Sequence, residues 1–334
     1  MTTVTLREAK DIALAALRRA GAEPHQAEPT ARALVGAESA GQSGHGLRRL
    51  AAYCAQIRTG KVDGRARPAA DRVRPALLRI DAGHGFAFPA LDLALGMLPA
   101  IVAKTGVACA SIRRSHHAGV LGATVERFAD AGLVALMTAN APAAMAPWGG
   151  KRPLFGTNPI AFAAPVPGGP PLVVDLSLSK IARGKVMAAK QKGERIPEGW
   201  ALDADGEPTT DPEAALAGTM LPAGDAKGAA LALVVELLSA GLAGANYSHE
   251  ASSLFDGEGP SPGLGQFLLV MDPKASGGDA ALGRIGSLIA MIAVEPGARL
   301  PGSNRLTARA KAAKCGLGLD ADLLVSLRDL AAGR

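Results

Sequence analysis

A histidine pair at the end of a predicted strand is the strongest candidate for acid–base chemistry in this chain. His116 and His117 follow Arg113 and Arg114, directly after the small and β-branched residues 107–112. Such a run predicts a buried strand, and the helical spacing of the residues after the histidines predicts a helix. Imidazole at this kind of junction can hydrogen-bond a ligand or carry a proton near neutral pH.

A third histidine, His45, lies at the start of a predicted helix with Arg48 and Arg49 in its first turn. Arginine is unfavourable there by ~0.3–1 kcal/mol, because the helix dipole repels cations at that end. An arginine that must reach an anion explains the cost: one guanidinium clamps a carboxylate while His45 faces the neighbouring carbon. The alternative interpretation is a capping loop with solvated arginines.

Weaker candidates lie at the ends of other predicted strands. Residues 156–159 (Gly-Thr-Asn-Pro) offer amides, a hydroxyl and a carboxamide in a turn, or form a plain turn. Asp175 follows an apolar strand, where it either orders the backbone or accepts hydrogen bonds from a ribose. Cations near strand ends suit a phosphate or a solvated rim equally well: Arg183, Lys185, Lys227 and the arginines at 299 and 305.

The common nucleotide and metal signatures are absent from the sequence. The Gly-His-Gly at 83–85 has Phe88 where the dinucleotide fingerprint needs its third glycine, and there is no P-loop. The segment 203–206 lacks the glycine position and closing glutamate of a calcium loop. The six histidines have no metal-binding spacing, so we expect no metal.

Composition narrows the range of partners. A net charge of +6 favours anionic partners, but aromatic residues make up 3% and the cations form no stripe. These features exclude nucleic acid and favour a small anionic molecule. Three dispersed cysteines indicate a reducing compartment, and the start of the sequence has no signal-peptide pattern. The longest apolar run, 229–244, is shorter than a membrane span, so we expect a cytoplasmic protein that contacts no membrane.

Periodicity predicts the elements that position these residues. Three helices up to Gly60 form an N-terminal helical extension, and a polar stretch follows over 61–75. Apolar runs then alternate with helical patterns, which predicts an α/β fold in three layers, a sheet with helices on both faces. We expect three regions: a helical substrate region at 1–75, an α/β cofactor-binding core at 76–310, and a C-terminal helix at 311–334 packing back on the first. The predicted strands are 77–80, 107–112, 134–138, 160–164, 172–176 and 267–271, and the predicted core helices are 89–104, 120–131, 181–191, 228–243 and 280–293.

Short segments over nearly the whole chain resemble the malate/L-lactate dehydrogenase family of the non-Rossmann type. That family includes sulfolactate, ureidoglycolate and diketogulonate dehydrogenases and the Δ1-piperideine-2-carboxylate (ketimine) reductases. The segments that carry the resemblance are His45-Gly46 with Arg49-Leu50, Ser115 with His117 and Gly119, residues 156–159, Asp175-Leu176-Ser177, residues 182–185, 196–200 and 209–212, Lys227-Gly228, and Leu300-Pro301-Gly302.

The resemblance implies a homodimer with a sulfolactate/malate dehydrogenase-like non-Rossmann fold, built on a three-layer mixed sheet, that binds NADPH by preference, with NAD possible. It implies that His45 donates and accepts the substrate proton, that Arg49 holds the substrate carboxylate and that Thr157 contacts substrate. His117 aligns with a histidine of the nicotinamide region or of catalysis. The implied cofactor residues are His117, Gly119, Asn140, Asp175, Leu176, Ser177, Arg183, Gly184, Lys227, Leu300, Pro301, Gly302 and Arg305.

Two departures from the family bear on the substrate. Gly44 stands where most relatives have Ser before the histidine, and Lys185 stands where ketimine reductases have an acidic residue. In the ketimine reductases these two positions form a Ser-His-Asp relay with the histidine. Its absence favours a 2-hydroxy/2-oxo acid (malate-, lactate- or sulfolactate-like) over a cyclic 2-ketimine carboxylate, which is the alternative substrate. It leaves open what orients His45; Ser43 could do so by a one-residue shift. Arg48, with Arg113 and Arg114, indicates a second anionic group on the substrate.

Overall fold

The computed structural model describes residues 2–334. Its strands are β1 (Thr2–Val4), β2 (Ala69–Arg74), β3 (Leu77–Asp81), β4 (Val107–Ser115), β5 (Val134–Ala139), β6 (Ile160–Ala164), β7 (Leu172–Leu176), β8 (Ala201–Leu202), β9 (Pro208–Thr209), β10 (Thr219–Met220), β11 (Leu264–Met271) and β12 (Leu317–Leu319). Its helices are α1 (Leu6–Ala20), α2 (Pro24–Ser39), α3 (Leu50–Arg58), α4 (Ala87–Thr105), α5 (Leu121–Asp130), α6 (Arg183–Lys192), α7 (Pro212–Ala217), α8 (Asp225–Glu236), α9 (Pro273–Gly277), α10 (Ala281–Val294), α11 (Ser303–Cys315) and α12 (Ala321–Ala332).

The central sheet has seven strands in the order β2-β3-β4-β11-β5-β6-β7. Only β3 and β4 run parallel; the other neighbours are antiparallel, so the mixed sheet is confirmed. Alternate residues of β5 divide its two faces. Ala135 and Met137 join the core beneath α4 and α5, whereas the Thr138 hydroxyl bonds Ser239 on the opposite face. Helices therefore cover both faces of the sheet.

The N-terminal helices share a second core with the end of the chain. Buried side chains of α1, α2 and α3 pack with those of β12 and α12 in one cluster. Strand β1 pairs with β12, and Thr5 caps α1 by accepting from the amide of Glu8 at 3.1 Å. Helix α11 crosses position 311, so the chain has no break there. The three-region division remains a prediction.

Several elements differ from the sequence prediction, among them β2 and the end of α8. The polar stretch at 61–75 contains β2, an edge strand whose side chains are mostly exposed and which therefore carries no apolar pattern. The helix predicted over 228–243 is α8 followed by a wider π-helical turn, Leu237–Gly241. That turn lies where the Ser239 carbonyl meets Gly265 of β11, closely enough that a Cβ on Gly265 would lie 1.8 Å from the oxygen.

Helix α4 is long and apolar enough to span a bilayer by length and composition alone. Half of that segment is buried inside the protein. Leu91, Leu98 and Val102 pack there against Ile112 of β4 in the main core. Helix α4 therefore packs in the main core, against the central sheet.

Candidate active site

His45 and Arg49 are positioned by two short 3₁₀ turns between α2 and α3. The turns span Ser43–His45 and Leu47–Arg49, so the helix begins later than the sequence predicts. The Glu38 carboxylate of α2 anchors them by accepting from the amide of Leu47 at 2.9 Å. It also packs against Gly46, where a Cβ would lie 2.2 Å from the carboxylate oxygen. The histidine and the arginine are therefore held on an irregular but fixed backbone.

Three rings form a hydrogen-bonded series at this point. Nδ1 of His45 lies 3.0 Å from Nε2 of His117, with the two ring planes 11° apart. Nδ1 of His117 lies 2.6 Å from the hydroxyl of Tyr53, which is fully buried in α3. Nε2 of His45 has no protein partner in residues 2–334, so it is the free end of the series.

The other histidine of the pair is part of the core. His116 is 1% exposed and packs edge-on against the rings of Tyr53 and Phe86. Neither of its ring nitrogens has a hydrogen-bond partner in the described chain. Burial lowers its pKa to about 3, which keeps it neutral. Of the two neighbouring histidines, His117 is the one that reaches the candidate site.

Arg49 has an unused donor beside His45. Its Nε donates to the carbonyl of Gly44 at 2.8 Å, and its guanidinium carbon lies 4.3 Å from the centre of the Phe255 ring. Nη1 is buried and has no partner within residues 2–334. An unpaired buried guanidinium nitrogen is costly unless an anion accepts from it. The geometry therefore suits a carboxylate bound between Arg49 and His45.

Burial and Arg49 set the acidity of the site. Burial, followed by the charge of Arg49, lowers the pKa of His45 to about 4. The same causes, in the same order, hold the pKa of His117 well below its usual range. Burial raises the pKa of the Tyr53 phenol well above its usual range. The unliganded site therefore contains two neutral imidazoles and a phenol that keeps its proton.

Phe255 reaches the site on a loop that α3 and the following turn hold in place. The ammonium of Lys61, 2% exposed, donates to the carbonyl of Glu258 at 2.5 Å and lies 3.2 Å from an Asp256 carboxylate oxygen. Gln56 donates to the Asp256 carbonyl at 3.0 Å. These contacts fix the loop whose aromatic ring covers the guanidinium of Arg49.

The sequence analysis missed Tyr53 and Phe255. Tyr53 lies four residues after Arg49, and so on the same side of α3, which is a signal that could have found it. It also fits the apolar spacing of a helix core, which favours interpreting its ring as packing. Phe255 lies about two hundred residues further along the chain, and no local pattern connects it with Arg49.

Many of the residues predicted to bind cofactor meet at one edge of the central sheet. The Asp175 carboxylate at the end of β7 accepts from the amide of Gly122 in α5 at 2.7 Å. A Cβ on Gly122 would lie 3.0 Å from Nη1 of Arg305 in α11. Burial raises the pKa of Asp175. Gly119, Leu176, Ser177, Leu300, Pro301 and Gly302 lie close in the chain to these three residues, Gly122, Asp175 and Arg305.

The start of α11 has the features of an anion site. Gly302 has φ +81°, and a Cβ there would lie 2.9 Å from the carbonyl of Val173. The Ser303 hydroxyl and Nε of Arg305 are buried without partners in the described chain. Amides at a helix start, together with these donors, suit a phosphate group. Nη2 of Arg305 donates to the Glu126 carboxylate at 3.3 Å. These residues therefore fit a dinucleotide.

Two other residues predicted to bind the cofactor make hydrogen bonds within the protein, and two more are open to solvent. Arg183 donates to the carbonyls of Ala143 and Leu216, each at 3.2 Å. The buried Asn140 amide group donates to Asn246 and accepts from Gly265. Gly184 is open, since a Cβ there would meet no atom within 4 Å among residues 2–334, and Lys227 is exposed in the first turn of α8.

The turn that contains Thr157 is fixed by hydrogen bonds to the buried carboxylate of Glu236. Asn158, fully buried, donates to Glu236 of α8 at 2.7 Å and to the carbonyl of Ala232 at 3.0 Å. The carbonyl of Thr157 accepts from Leu178 at 2.8 Å. Within the described chain its hydroxyl makes no hydrogen bond, so it is free to contact a ligand.

The arginines expected to hold a second anion are occupied by carboxylates. The guanidinium of Arg48 pairs with Asp320 before α12. Arg113 and Arg114 both pair with Asp81, at 3.1 and 2.7 Å. A second anionic group would have to compete with these pairs.

The partner that orients His45 is His117. Ser43, the substitute suggested by the sequence, makes no side-chain hydrogen bond to His45 among residues 2–334. Lys185 lies exposed in α6. Within that same stretch of chain, no group of three His, Cys, Asp or Glu side chains could hold a metal ion.

Comparison with known proteins shows which proteins this chain is similar to. The family model described as malate/L-lactate dehydrogenase matches residues 4–328. A (2R)-3-sulfolactate dehydrogenase (NADP(+)) of Chromohalobacter salexigens is 54% identical over 304 residues, 90% of each chain. A Δ1-pyrroline-2-carboxylate/Δ1-piperideine-2-carboxylate reductase of Pseudomonas aeruginosa is 41% identical over 320 residues, 95% of this chain and 96% of that one. The crystal structure of Δ1-piperideine-2-carboxylate reductase from Pseudomonas syringae superposes with a TM-score of 0.93 at 38% identity, covering 99% of this chain and 100% of that one.

Proposed function

The chain belongs to the malate/L-lactate dehydrogenase family, and from this premise we propose that it interconverts a 2-hydroxy acid and a 2-oxo acid of the sulfolactate type with NADPH. The resemblance found in the sequence and the expected fold are confirmed. The proposal is carried by one observation, the unpaired Nη1 of Arg49 beside the free Nε2 of His45. The 54% identity to an NADP-dependent sulfolactate dehydrogenase supports both the substrate class and the expected cofactor.

Arg49 binds the C1 carboxylate and thereby places C2 next to His45. NADPH, when bound, would supply the hydride that C2 accepts, and the donors at the start of α11 would hold its phosphate. As C2 is reduced, its oxygen takes a proton from Nε2 of His45; in the reverse direction the neutral imidazole accepts the hydroxyl proton. General acid–base catalysis of this kind contributes ~10²–10⁴-fold to the rate. Thr157 contacts the bound acid through its free hydroxyl.

Substrate binding changes the acidity of His45. The charge of Arg49 is one of the two causes that lower the His45 pKa. A carboxylate bound on Arg49 offsets that charge, so it raises the pKa and favours the imidazolium that reduction requires. The reaction in the oxidation direction starts from the neutral imidazole already present in the free site.

A substrate panel tests the proposal. NADPH oxidation is measured with sulfopyruvate, oxaloacetate, pyruvate and Δ1-piperideine-2-carboxylate, with NADH in parallel. We expect the highest kcat/KM with sulfopyruvate and NADPH. A clear preference for the cyclic imine would instead support ketimine reduction, the alternative that the 38–41% identical reductases favour.

The protein is further proposed to be a cytoplasmic homodimer that contacts neither nucleic acid nor membrane. Helix α10 supports the dimer because it is apolar yet has no buried residue in the single chain. Leu288, Met291 and Val294 are 58%, 69% and 81% exposed along it. A second copy would cover this face. Light scattering should report a dimer for the wild type and a monomer for Met291→Glu; a monomeric wild type would contradict the proposal.

A further inference from the structure

Arg49 is a largely buried cation for which the described chain provides no counter-ion. Burial lowers the pKa of its guanidinium, and no carboxylate within residues 2–334 acts to raise it. Burial, together with the charge of Arg49 itself, keeps His45 and His117 neutral. A buried charge is costly unless an opposite charge or another attractive group compensates it. Some other group must therefore hold the guanidinium in the free protein.

The ring of Phe255 is that group. The guanidinium carbon of Arg49 lies over the ring, 4.3 Å from its centre, and the negative face of an aromatic ring attracts a cation in this position. The N–H donors of a guanidinium point outward in its plane, so a ring over the central carbon leaves them free. Nε donates to the carbonyl of Gly44, and Nη1 has no partner within residues 2–334. The ring thus holds the cation and leaves its edge open to a carboxylate.

The backbone, and not burial of the ring, fixes Phe255 in this position. The residue is 44% exposed. Before it in the chain, Leu254 is 4% exposed, and the Ser253 hydroxyl accepts from the amide of Phe255 at 3.1 Å. After it, the buried ammonium of Lys61 donates to the carbonyl of Glu258 at 2.5 Å. Because a half-exposed ring contributes little to the core, replacing it tests the site more than the fold.

We propose that Phe255 is a positioning residue of this site: its ring orients the Arg49 guanidinium in the free protein, so that Nη1 meets the carboxylate of the 2-oxo acid without rearrangement. The inference rests on the proposed function and adds a residue to it. Preorganised donors raise affinity because the cost of ordering them is met before the ligand arrives. Since the ring acts on Arg49 and not on the reacting carbon, its loss should raise KM and leave kcat nearly unchanged.

Two substitutions separate the ring face from simple apolar cover. Phe255→Leu keeps an apolar side chain but removes the aromatic face, whereas Phe255→Tyr keeps that face. We expect Phe255→Leu to raise the KM for sulfopyruvate about tenfold, with kcat within about twofold, and Phe255→Tyr to stay within about threefold of the wild type in both. A KM in Phe255→Tyr as high as in Phe255→Leu, or a loss confined to kcat, would show that the ring does not act through Arg49.

The matched control is Tyr247→Leu. Tyr247 is also an aromatic residue on the surface, 36% exposed, but its ring stacks on His249, 6.0 Å away between centres. Its replacement removes the same kind of ring at a place that does not contact Arg49. This variant should keep the wild-type kcat and KM, and a rise in KM equal to that of Phe255→Leu would contradict the proposal.

A double-mutant cycle tests whether Phe255 acts through Arg49. If it does, Phe255→Leu should raise KM by less than about twofold in a protein that already carries Arg49→Met, because the group that the ring orients is then absent. If the ring instead contacts the substrate directly, the effects of the two substitutions should multiply. Multiplied effects would overturn the positioning role, and this comparison is made between variants of the same folded protein.

Equilibrium binding of oxamate separates this inference from the proposed function, since oxamate has the carboxylate of a 2-oxo acid but cannot be reduced by NADPH. Calorimetric titration in the presence of NADPH should show oxamate binding about tenfold more weakly to Phe255→Leu than to the wild type. Equal affinities, or no oxamate binding by the wild type, would overturn the inference. If the wild type binds oxamate yet reduces neither 2-oxo acids nor cyclic imines, the proposed function fails, while the oxamate affinities still decide the role of Phe255.

Discussion

Arg49 and His45 are prepared for a charged ligand in different ways. Arg49 keeps one buried nitrogen, Nη1, unpaired within the described chain, while its Nε is held by Gly44 and its plane is covered by Phe255. His45 is kept neutral by burial and by that same arginine. In the proposed reaction, a carboxylate bound by Arg49 pairs with its free nitrogen and, by offsetting its charge, raises the pKa of His45. The proposal therefore couples binding and proton transfer through one guanidinium.

Replacing Arg49 should abolish carboxylate recognition. For Arg49→Met we expect kcat/KM for the 2-oxo acid to fall about 100-fold or more, because a buried charged hydrogen-bond partner is lost. Most of the change should appear in KM. Steady-state kinetics of NADPH oxidation measures it. The control is Arg58→Met, an exposed arginine at the end of α3, which should keep wild-type values; equal effects of the two variants would contradict the assignment.

The sequence supports the prediction of these residues only where their types are unusual for their positions. His45, Arg49 and His117 stand out because imidazole and guanidinium lie at element starts and ends. Tyr53 does not, because an aromatic residue at helical spacing is typical of a core. The order of hydrogen bonds through His117 depends on bringing residues 45, 53 and 117 together, which no local pattern encodes.

The elements around the site are joined by buried polar groups. The Glu236 carboxylate at the end of α8 accepts from the amide and the hydroxyl of Ser248, each at 2.6 Å, and from Asn158. It thus ties α8 to the Thr157 turn and to the loop that leads to Phe255. The sequence predicts the helix but not this role, since a lone glutamate in an apolar run indicates no more than an interruption.

Loss of the Glu236 carboxylate should destabilise the Thr157 turn and the loop at Ser248. Glu236→Leu leaves several buried donors without an acceptor, and we expect the free energy of unfolding to fall by about 2–4 kcal/mol. Urea denaturation followed by circular dichroism measures this. Glu295→Leu removes an exposed carboxylate and should change it little. If both variants unfold at the same urea concentration, the network does not stabilise the fold.

The arrangement of the sheet was predictable in outline but not in order. Apolar runs predict its buried strands, and the resemblance to the family implies the mixed three-layer architecture. The edge strand β2 and the small sheet of β8, β9 and β10 were missed, because short or exposed strands carry no apolar alternation. The place of β11 between β4 and β5 arises from pairing across more than a hundred residues.

Burial of neutral histidines makes the fold sensitive to acid. Burial lowers the pKa of His116 to about 3 and, with Arg49, that of His45 to about 4. Below about pH 6.5 the unfolded chain binds these protons first, so their contribution to stability is complete above about pH 6.5 and is lost as pH falls toward about 3–4. Each histidine lowers the free energy of unfolding by up to about 1.4 kcal/mol per pH unit.

The acid sensitivity can be assigned to a residue by substitution. We expect His116→Leu to reduce the slope of unfolding free energy against pH between about 6 and 4. The reduction should be about 1.4 kcal/mol per pH unit, the value for one proton. Urea unfolding at several pH values measures both slopes. An unchanged slope would mean that His116 is not neutral in the folded protein.

The proposed reaction requires hydride to arrive at the carbon beside the carboxylate that Arg49 holds. The most direct test supplies NADPH deuterated at C4 together with sulfopyruvate, and locates the label by NMR of the product. We expect one deuterium at C2 of 3-sulfolactate with the wild type, formed far more slowly by His45→Gln and Arg49→Met. Oxidation of NADPH without deuterium at C2, or equal rates in the three proteins, would contradict it.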